Sequence, residues 1–260
     1  FPQRETAEIT YRLTGQWDRF FQDVLDYCRD VTQRAGDDAR RQRLSFWGTL
    51  ALMRCVASSP AAAVQALQTR LLAEQVDNAP EEVLQTLFDG SEDNLAEDDV
   101  APAADTGDPA LHALLAQARE LVGEEGDPKL RLLREHLKQL IADGFNPVVF
   151  CRYIATAHYL AESLRGKFKK ATIKAVTGEL TPGEREAAVA ELADTEQRIL
   201  VATDCLSEGI NLQQLFDTVA HYDLSWNPTR HQQREGRVDR FGQPAELVRS
   251  IMMFSPDSAI

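Results

Sequence analysis

Between Gln233 and Gln243 the chain reads QREGRVDRFGQ. Guanidinium groups are planar, permanently charged and rich in donors, which suits them to phosphate oxygens. If Asn227-Pro228 opens a helix, Gln233, Arg237 and Arg240 fall at i, i+4 and i+7 and share a face. Gly236 inside such a helix costs roughly 1 kcal/mol relative to alanine, and close approach by another surface would explain it. An arginine delivered to a γ-phosphate from a second domain stabilises the charge that develops in nucleotide hydrolysis. A solvated basic helix end, with Arg237 and Arg240 paired to Glu235 and Asp239, satisfies the same spacing. The residues alone leave both readings open.

Three further stretches could touch a nucleotide or a nucleic acid. In ATDCLSEGIN, Ala202 to Asn211, a strand ends at Ala202 and Thr203-Asp204 begins a loop. A short hydroxyl residue beside free backbone N–H groups can hold a phosphate there. Gly209 permits a backbone approach that a Cβ would block, and Asn211 can cap a turn or bond a ribose. A plain turn is the alternative. In YDLSWNP, Tyr222 to Pro228, Trp226 can stack on a base or lie along a backbone, or fill the edge of a core. Arg152, within FCRY, and Thr177-Gly178 each follow an apolar run and could present N–H and hydroxyl groups to a phosphate backbone. There is no GxxxxGK[ST] phosphate loop. Leu164-Arg165-Gly166-Lys167-Phe168 lacks its first glycine and its hydroxyl residue. No Asp-Glu pair sits at a strand end, and no His/Cys spacing suits a metal. The chain cannot build a complete nucleoside triphosphate site by itself.

The elements that must position these residues alternate in period. Trp17, Phe20, Phe21, Val24, Leu25 and Cys28 recur at helical spacing, and Leu44 to Val56 is a nearly continuous apolar run suited to a buried helix. Ser58-Ser59-Pro60 ends that helix and another follows, so residues 1–76 read as helical. Asp127-Pro128 is a helix start, with Leu130, Leu133, Leu137, Leu140 and Ile141 as its stripe and Gly144 as its stop. Then Val148–Cys151, Thr172–Val176, Ile199–Ala202, Val219–Tyr222 and Val248–Phe254 read as strands. Helices lie between them at Ile154–Leu164 and after the Thr181–Glu184 capping box. Such alternation implies right-handed crossovers and an α/β fold with a mostly parallel sheet covered on both faces. Ligands of such sheets meet the loops at the carboxyl ends of the strands.

The net charge of −13 is uneven: residues 1–76 carry +1, residues 77–144 carry −12 and residues 145–260 carry −2. From Asp77 to Pro109 there are eleven acidic residues and no basic one. That stretch reads as a mobile linker with a short helix around Glu81 to Phe88, or as an acidic decoy or autoinhibitory tail. The global charge therefore does not exclude nucleic acid. The four cysteines, Cys28, Cys55, Cys151 and Cys205, form no CxxC pair and read as reduced thiols of a cytoplasmic protein. No run is long and apolar enough for a membrane span or a signal peptide. The ends carry no start or stop signal, so the sequence reads as a piece of something longer.

The order and spacing of these elements resemble the second RecA-like lobe of superfamily 2 helicases and translocases. VVFCRY is similar to motif IV, ATDCLSEGINL to motif V and QREGRVDRFGQ to motif VI. Trp226-Asn227-Pro228, the closing Phe-Gly-Gln, RLSFWGTLALMRCVASSP and the lead-in DPKLRLLREHLKQLIADGFNPVVF resemble the Swi/Snf-type double-stranded DNA translocases. The resemblance implies a RecA-like three-layer α/β/α lobe over residues 127–260, preceded by a helical segment (1–76) and an acidic linker (77–126). It implies that Arg237 and Arg240 are arginine fingers for ATP, supported by Gln233. Gly209 and Asn211 would couple nucleotide to DNA. Arg152, Thr177, Gly178 and Thr203 would face the DNA backbone, with Trp226 near it. ATP and Mg2+ would be bound mainly by the N-terminal RecA-like lobe, which this stretch lacks, so these 260 residues alone would be inactive. Leu206-Ser207 stands where the family has Gly-Gly, and Arg234-Glu235 and Asp239 resemble a bacterial branch whose partners are RNA polymerase or a phage-defence complex. An RNA helicase lobe of the same superfamily and a non-catalytic docking module are the alternatives.

Overall fold

The computed structural model describes residues 2–34, 39–75, 109–207, 210–225 and 227–256. Gly209, Trp226 and the acidic stretch from 77 to 108, with its expected short helix, lie outside the described residues. The chain divides into two compact units, one of Phe1–Arg12 and Pro128–Asp257, the other comprising Leu13–Asp127 and the last three residues.

Among the described residues of the second unit four helices, α1 (Gln16–Arg34), α2 (Ala39–Ser58), α3 (Pro60–Gln75) and α4 (Pro109–Glu120), surround one apolar core. Trp17, Phe20, Phe21 and Val24 of α1 meet Leu52 and Val56 of α2, Leu67 of α3 and Leu111 and Leu114 of α4. The helical spacing of those aromatic residues in the sequence reflects this burial. The Cys28 thiol is pushed up to about 11 by burial, with a smaller opposing pull from Arg70, so it is an inert core group.

The first unit is an α/β layer structure with a RecA-like, entirely parallel six-stranded sheet in the order β1-β6-β5-β2-β4-β3. The strands are β1 (Gln3–Thr10), β2 (Pro147–Phe150), β3 (Ala171–Val176), β4 (Gln197–Ala202), β5 (Thr218–His221) and β6 (Leu247–Phe254). The helices are α5 (Pro128–Ala142), α6 (Ile154–Arg165), α7 (Pro182–Ala190) and α8 (Pro228–Val238). Val148, Phe150, Leu200, Ala202 and Val219 share one core with Val189 of α7 and Val238 of α8. Their alternates Val149, Ile199 and Val201 are equally buried and point to the opposite face. There α6 packs on β3 and β4, and α5 on β2.

Local signals set the boundaries. Gly144 ends the α5 region in the left-handed region at φ 89°, which only glycine adopts without strain. Thr181 and Glu184 form a reciprocal capping box at the start of α7. Asn227 caps α8 by accepting from the Thr229 N–H, with Pro228 at the first helical position.

The expectation of a wholly helical residues 1–76 is corrected at the start. Gln3–Thr10 is a strand beside β6, and it belongs with the sheet. Its eight residues, QRETAEIT, bury only Ile9, so there is no apolar alternation to read. An edge strand needs only backbone pairing and polar side chains. Arg249 of β6 donates to Glu5 at 2.7 Å.

Candidate functional site at the carboxyl edge of the sheet

Parallel pairing places every strand exit on one edge. Phe150 lies in register with Ala202 and with His221, and Val176 with Ala202. The loops beginning at Cys151, Thr177, Thr203 and Tyr222 therefore leave side by side, and α8 packs against the same end. Backbone bonds continue past the strands: the Thr203 N–H donates to the Val176 carbonyl at 3.2 Å, and the Tyr222 N–H to the Phe150 carbonyl at 2.9 Å.

Two buried carboxylates, Asp204 and Asp223, and their cationic partners fix this edge. Arg234 of α8 is only 3% exposed. Its Nε and Nη2 donate to Asp204 Oδ1 and Oδ2 at 2.6 and 2.9 Å, and its Nη1 donates to the Asp223 carbonyl at 2.9 Å. Arg230, one turn earlier, donates to Asp204 Oδ2 at 3.3 Å. Burial pushes the Asp204 carboxyl up, but the bonds and charge of Arg234 and Arg230 outweigh this and hold it below the usual range. Alongside, Lys129 Nζ donates to Asp223 Oδ1 at 2.8 Å and sits 3.9 Å from the Tyr222 ring centre. Asp223 Oδ2 accepts the Arg152 backbone N–H at 2.9 Å. The start of α5, the Arg152 loop, the β5 exit and α8 are thus joined through buried, hydrogen-bonded charges, the form in which buried charge is tolerated.

Against this frame the arginines of the opening stretch separate into different roles. Arg237 is half-buried on α8 and has no hydrogen bond or ion pair among the described residues. Gln233, one turn earlier, is exposed. The helix ends at Val238 with Asp239 as its cap, so Arg240 does not continue the i, i+4, i+7 face. It lies exposed beyond the helix, where its Nη1 donates to Asn211 Oδ1 at 2.9 Å. Arg237 and Arg240 are not neutralised by Glu235 and Asp239 either. Glu235 accepts from Ser250 Oγ at 2.6 Å and faces His221 Nε2 at 3.3 Å, while Asp239 pairs with Arg4 of β1. Gly236 is exposed, and a Cβ built on it meets nothing within 4 Å. Among the described residues nothing requires glycine there.

The other expected contacts sit at the edge in unequal ways. Arg152 is half-buried near the Tyr153 ring. Thr177 and Thr203 are 1% and 3% exposed, and the Thr177 hydroxyl donates to Glu179 Oε2 at 3.2 Å. Both residues are buried, and the Thr203 N–H is already spent on the Val176 carbonyl. Gly178 is half-buried in the β3 exit loop, and Asn211 is exposed. A bare reading of motif spacing misses Asp204 and Arg234, which organise the site. The helical wheel carries the missing signal, since Arg234 lies four residues before the buried Val238 and must share its inward face. Two histidines lie within this frame, His221 and His231, with ring centres 5.0 Å apart. His231 Nε2 accepts the Ser225 N–H at 2.9 Å. Burial foremost, then the charges of His221 and Arg234, push His231 down to about 4.

Among the described residues no group of three or more His, Cys, Asp or Glu side chains could hold a metal ion, and no helix is long and apolar enough to cross a membrane.

Residues 128–242 match the helicase conserved C-terminal domain. The ATP-dependent RNA helicase eIF4A of Lodderomyces elongisporus is 36% identical over 104 residues, which is 40% of this chain and 25% of that protein. The chain therefore spans about a quarter of the length of the curated relatives it matches. Among solved structures, the C-terminal part of the Fun30 ATPase domain superposes with a TM-score of 0.61 at 17% identity, covering 99% of this chain and 86% of that one. The Sulfolobus solfataricus SWI2/SNF2 ATPase core in complex with dsDNA gives 0.59 at 15% identity, covering 98% and 41%. These superpositions show a shared fold, and the family match places the helicase likeness on residues 128–242.

Proposed function

We propose that this helicase C-terminal domain is the second lobe of an ATP-dependent translocase on double-stranded DNA, and that it delivers Arg237 to ATP held on the first lobe. The observation that carries this reading is an unpaired guanidinium on a pinned helix. Arg237 has no partner among the described residues, yet α8 is tied to the sheet by Arg234 and Asp204 at 2.6 and 2.9 Å. A positioned, unneutralised arginine is what a phosphate held elsewhere requires. Gln233 supports it from the same face, and Arg240, beyond the helix and hydrogen-bonded to Asn211 Oδ1 at 2.9 Å, is the second finger.

In this scheme the γ-phosphate draws Arg237 and Arg240 inward and the lobes close. Water attacks the γ-phosphorus, the bond to the bridging oxygen breaks, and ADP and phosphate leave. The guanidinium groups stabilise charge on the transferring group in the transition state. Mg2+ and the phosphate loop belong to the first lobe. Loss of the γ-phosphate removes the attraction and the lobes part. The exit loops that begin at Arg152, Thr177-Gly178 and Thr203 hold the DNA backbone, so each cycle advances the lobe along one strand.

The test is Arg237→Ala in the full-length protein. DNA-stimulated ATPase turnover should fall by about 10³- to 10⁵-fold, the range for removal of an arginine finger, with DNA affinity nearly intact. Unchanged turnover refutes the assignment. One observation favours a second reading: the curated relatives are named as RNA helicases. Stimulation by duplex RNA and not by duplex DNA would select it.

A further inference from the structure

Arg185 stands outside all the contacts assigned above, and its geometry is unusual. It is the residue after the capping box of α7, and its own N–H donates to the Thr181 carbonyl at 2.9 Å. That fixes its backbone. Its side chain folds back over the helix start and meets three main-chain carbonyls. Nε donates to Leu180 O at 2.8 Å, Nη2 to Gly178 O at 3.1 Å and Nη1 to Cys205 O at 3.2 Å. The first two acceptors belong to the β3 exit loop. The third belongs to the 3-10 turn Asp204–Ser207 that follows β4. Among the described residues no carboxylate takes part, and the guanidinium holds two loops in one arrangement.

The turn it grips is gripped from the other side too. Cys205 follows Asp204, whose carboxylate is held by Arg234 of α8. A continuous path of hydrogen bonds thus runs from the Gly178 carbonyl through Arg185 to the turn, and through Arg234 to the helix that carries Arg237. Arg234 and Arg237 are one helical turn apart. Each link is short and directional, and two of the four bodies the path joins, α7 and α8, are helices.

We infer that Arg185 is a positioning residue that transmits nucleic-acid engagement at the Gly178 loop to Arg237, so that ATP turnover responds to the bound strand. This rests on the reading above, in which Gly178 faces nucleic acid and Arg237 faces ATP. A lysine at the position keeps the charge but is a flexible point donor, unable to span three carbonyls in fixed geometry. Spatial continuity alone does not establish coupling; a changed response does.

The experiment is the ATPase rate of the full-length protein without nucleic acid and with saturating duplex DNA or duplex RNA, for wild type, Arg185→Lys and Arg185→Met. For Arg185→Lys we expect an unchanged basal rate and a stimulated-to-basal ratio lowered about tenfold, within the 5- to 150-fold span of typical couplings. Nucleic-acid affinity should change less than the ratio. Should Arg185→Met not fold, Arg185→Lys decides. A stimulated wild type with an unmoved ratio in the variant, or with basal and stimulated rates lowered equally, overturns the linkage alone. A wild type stimulated by neither nucleic acid overturns the functional reading and the linkage with it.

Discussion

Gly236→Ala should stabilise the isolated chain and impair the complete enzyme, and the opposite signs make it a sharp test. Gly236 sits in α8, two residues before the helix ends at Val238. Alanine at a helix-interior position is favoured over glycine by about 1 kcal/mol, and somewhat less near a helix end. The new methyl group has space, because among the described residues nothing beyond its own stretch of helix lies within 4 Å of it. The melting temperature of the 260-residue chain should therefore rise by about 2–4 °C. If a second lobe closes on this face, the same methyl group meets it. Overpacking a close contact costs about 1–3 kcal/mol, which as transition-state free energy is about 5- to 150-fold in kcat/KM for ATP. Thermal melts of the chain and steady-state ATPase of the full-length protein give the two numbers. A raised melting temperature with undiminished ATPase would show that nothing approaches Gly236, and would remove the physical reason for a glycine in α8. A lowered melting temperature would show that the chain itself needs the glycine.

Three other outcomes follow from the site. Asp204→Ala leaves Arg234 buried without its carboxylate, and loss of one partner of a buried pair costs about 3–5 kcal/mol in urea unfolding; adding Arg234→Leu should recover much of it, and a single-variant cost near zero contradicts the clamp. His231 is neutral in the fold because its pKa is depressed to about 4 from 6.5, so the unfolded chain binds more protons between those values and stability falls as pH drops through that window. His221, lowered chiefly by burial, acts in the same direction; His231→Gln should flatten the pH dependence of unfolding, and an unchanged slope would remove His231 as a cause. Asp204, held below its ordinary value, should contribute stability above about pH 3.8 and lose it on further acidification, so Asp204→Asn should be least costly at the acid end of a pH series.

How much of this was legible in the sequence depends on which residues faced inward. The apolar runs of β2, β4 and β5 and the caps at Thr181, Gly144 and Asn227 are local signals, and the structure repeats them. β1 was invisible because an edge strand with one buried side chain carries no alternation. The carboxyl edge was legible as an address, since a parallel sheet must gather its exits there. The roles within it were only half legible. Spacing marked Arg237, but it also placed Arg240 on the same helical face, and α8 stops before Arg240. It also suggested that Glu235 and Asp239 would neutralise both arginines, while the folded chain uses those carboxylates for Ser250, His221 and Arg4. Asp204 with Arg234, and Asp223 with Lys129, are pairings of residues 30 and 94 positions apart. Such pairs are fixed by topology and leave no trace in local composition. Arg185 belongs with them, because its third acceptor, Cys205, is 20 residues away on the next strand's exit.

The central claim is that Arg237 completes a nucleotide site whose other wall lies outside this chain. Its most direct measurement is a structure of the full-length protein closed on ADP with a planar phosphate mimic. The account predicts an Arg237 nitrogen at about 2.7–3.2 Å from the mimic, a hydrogen-bond distance. A closed, loaded enzyme in which Arg237 points into solvent, or binds an internal carboxylate instead, would contradict it.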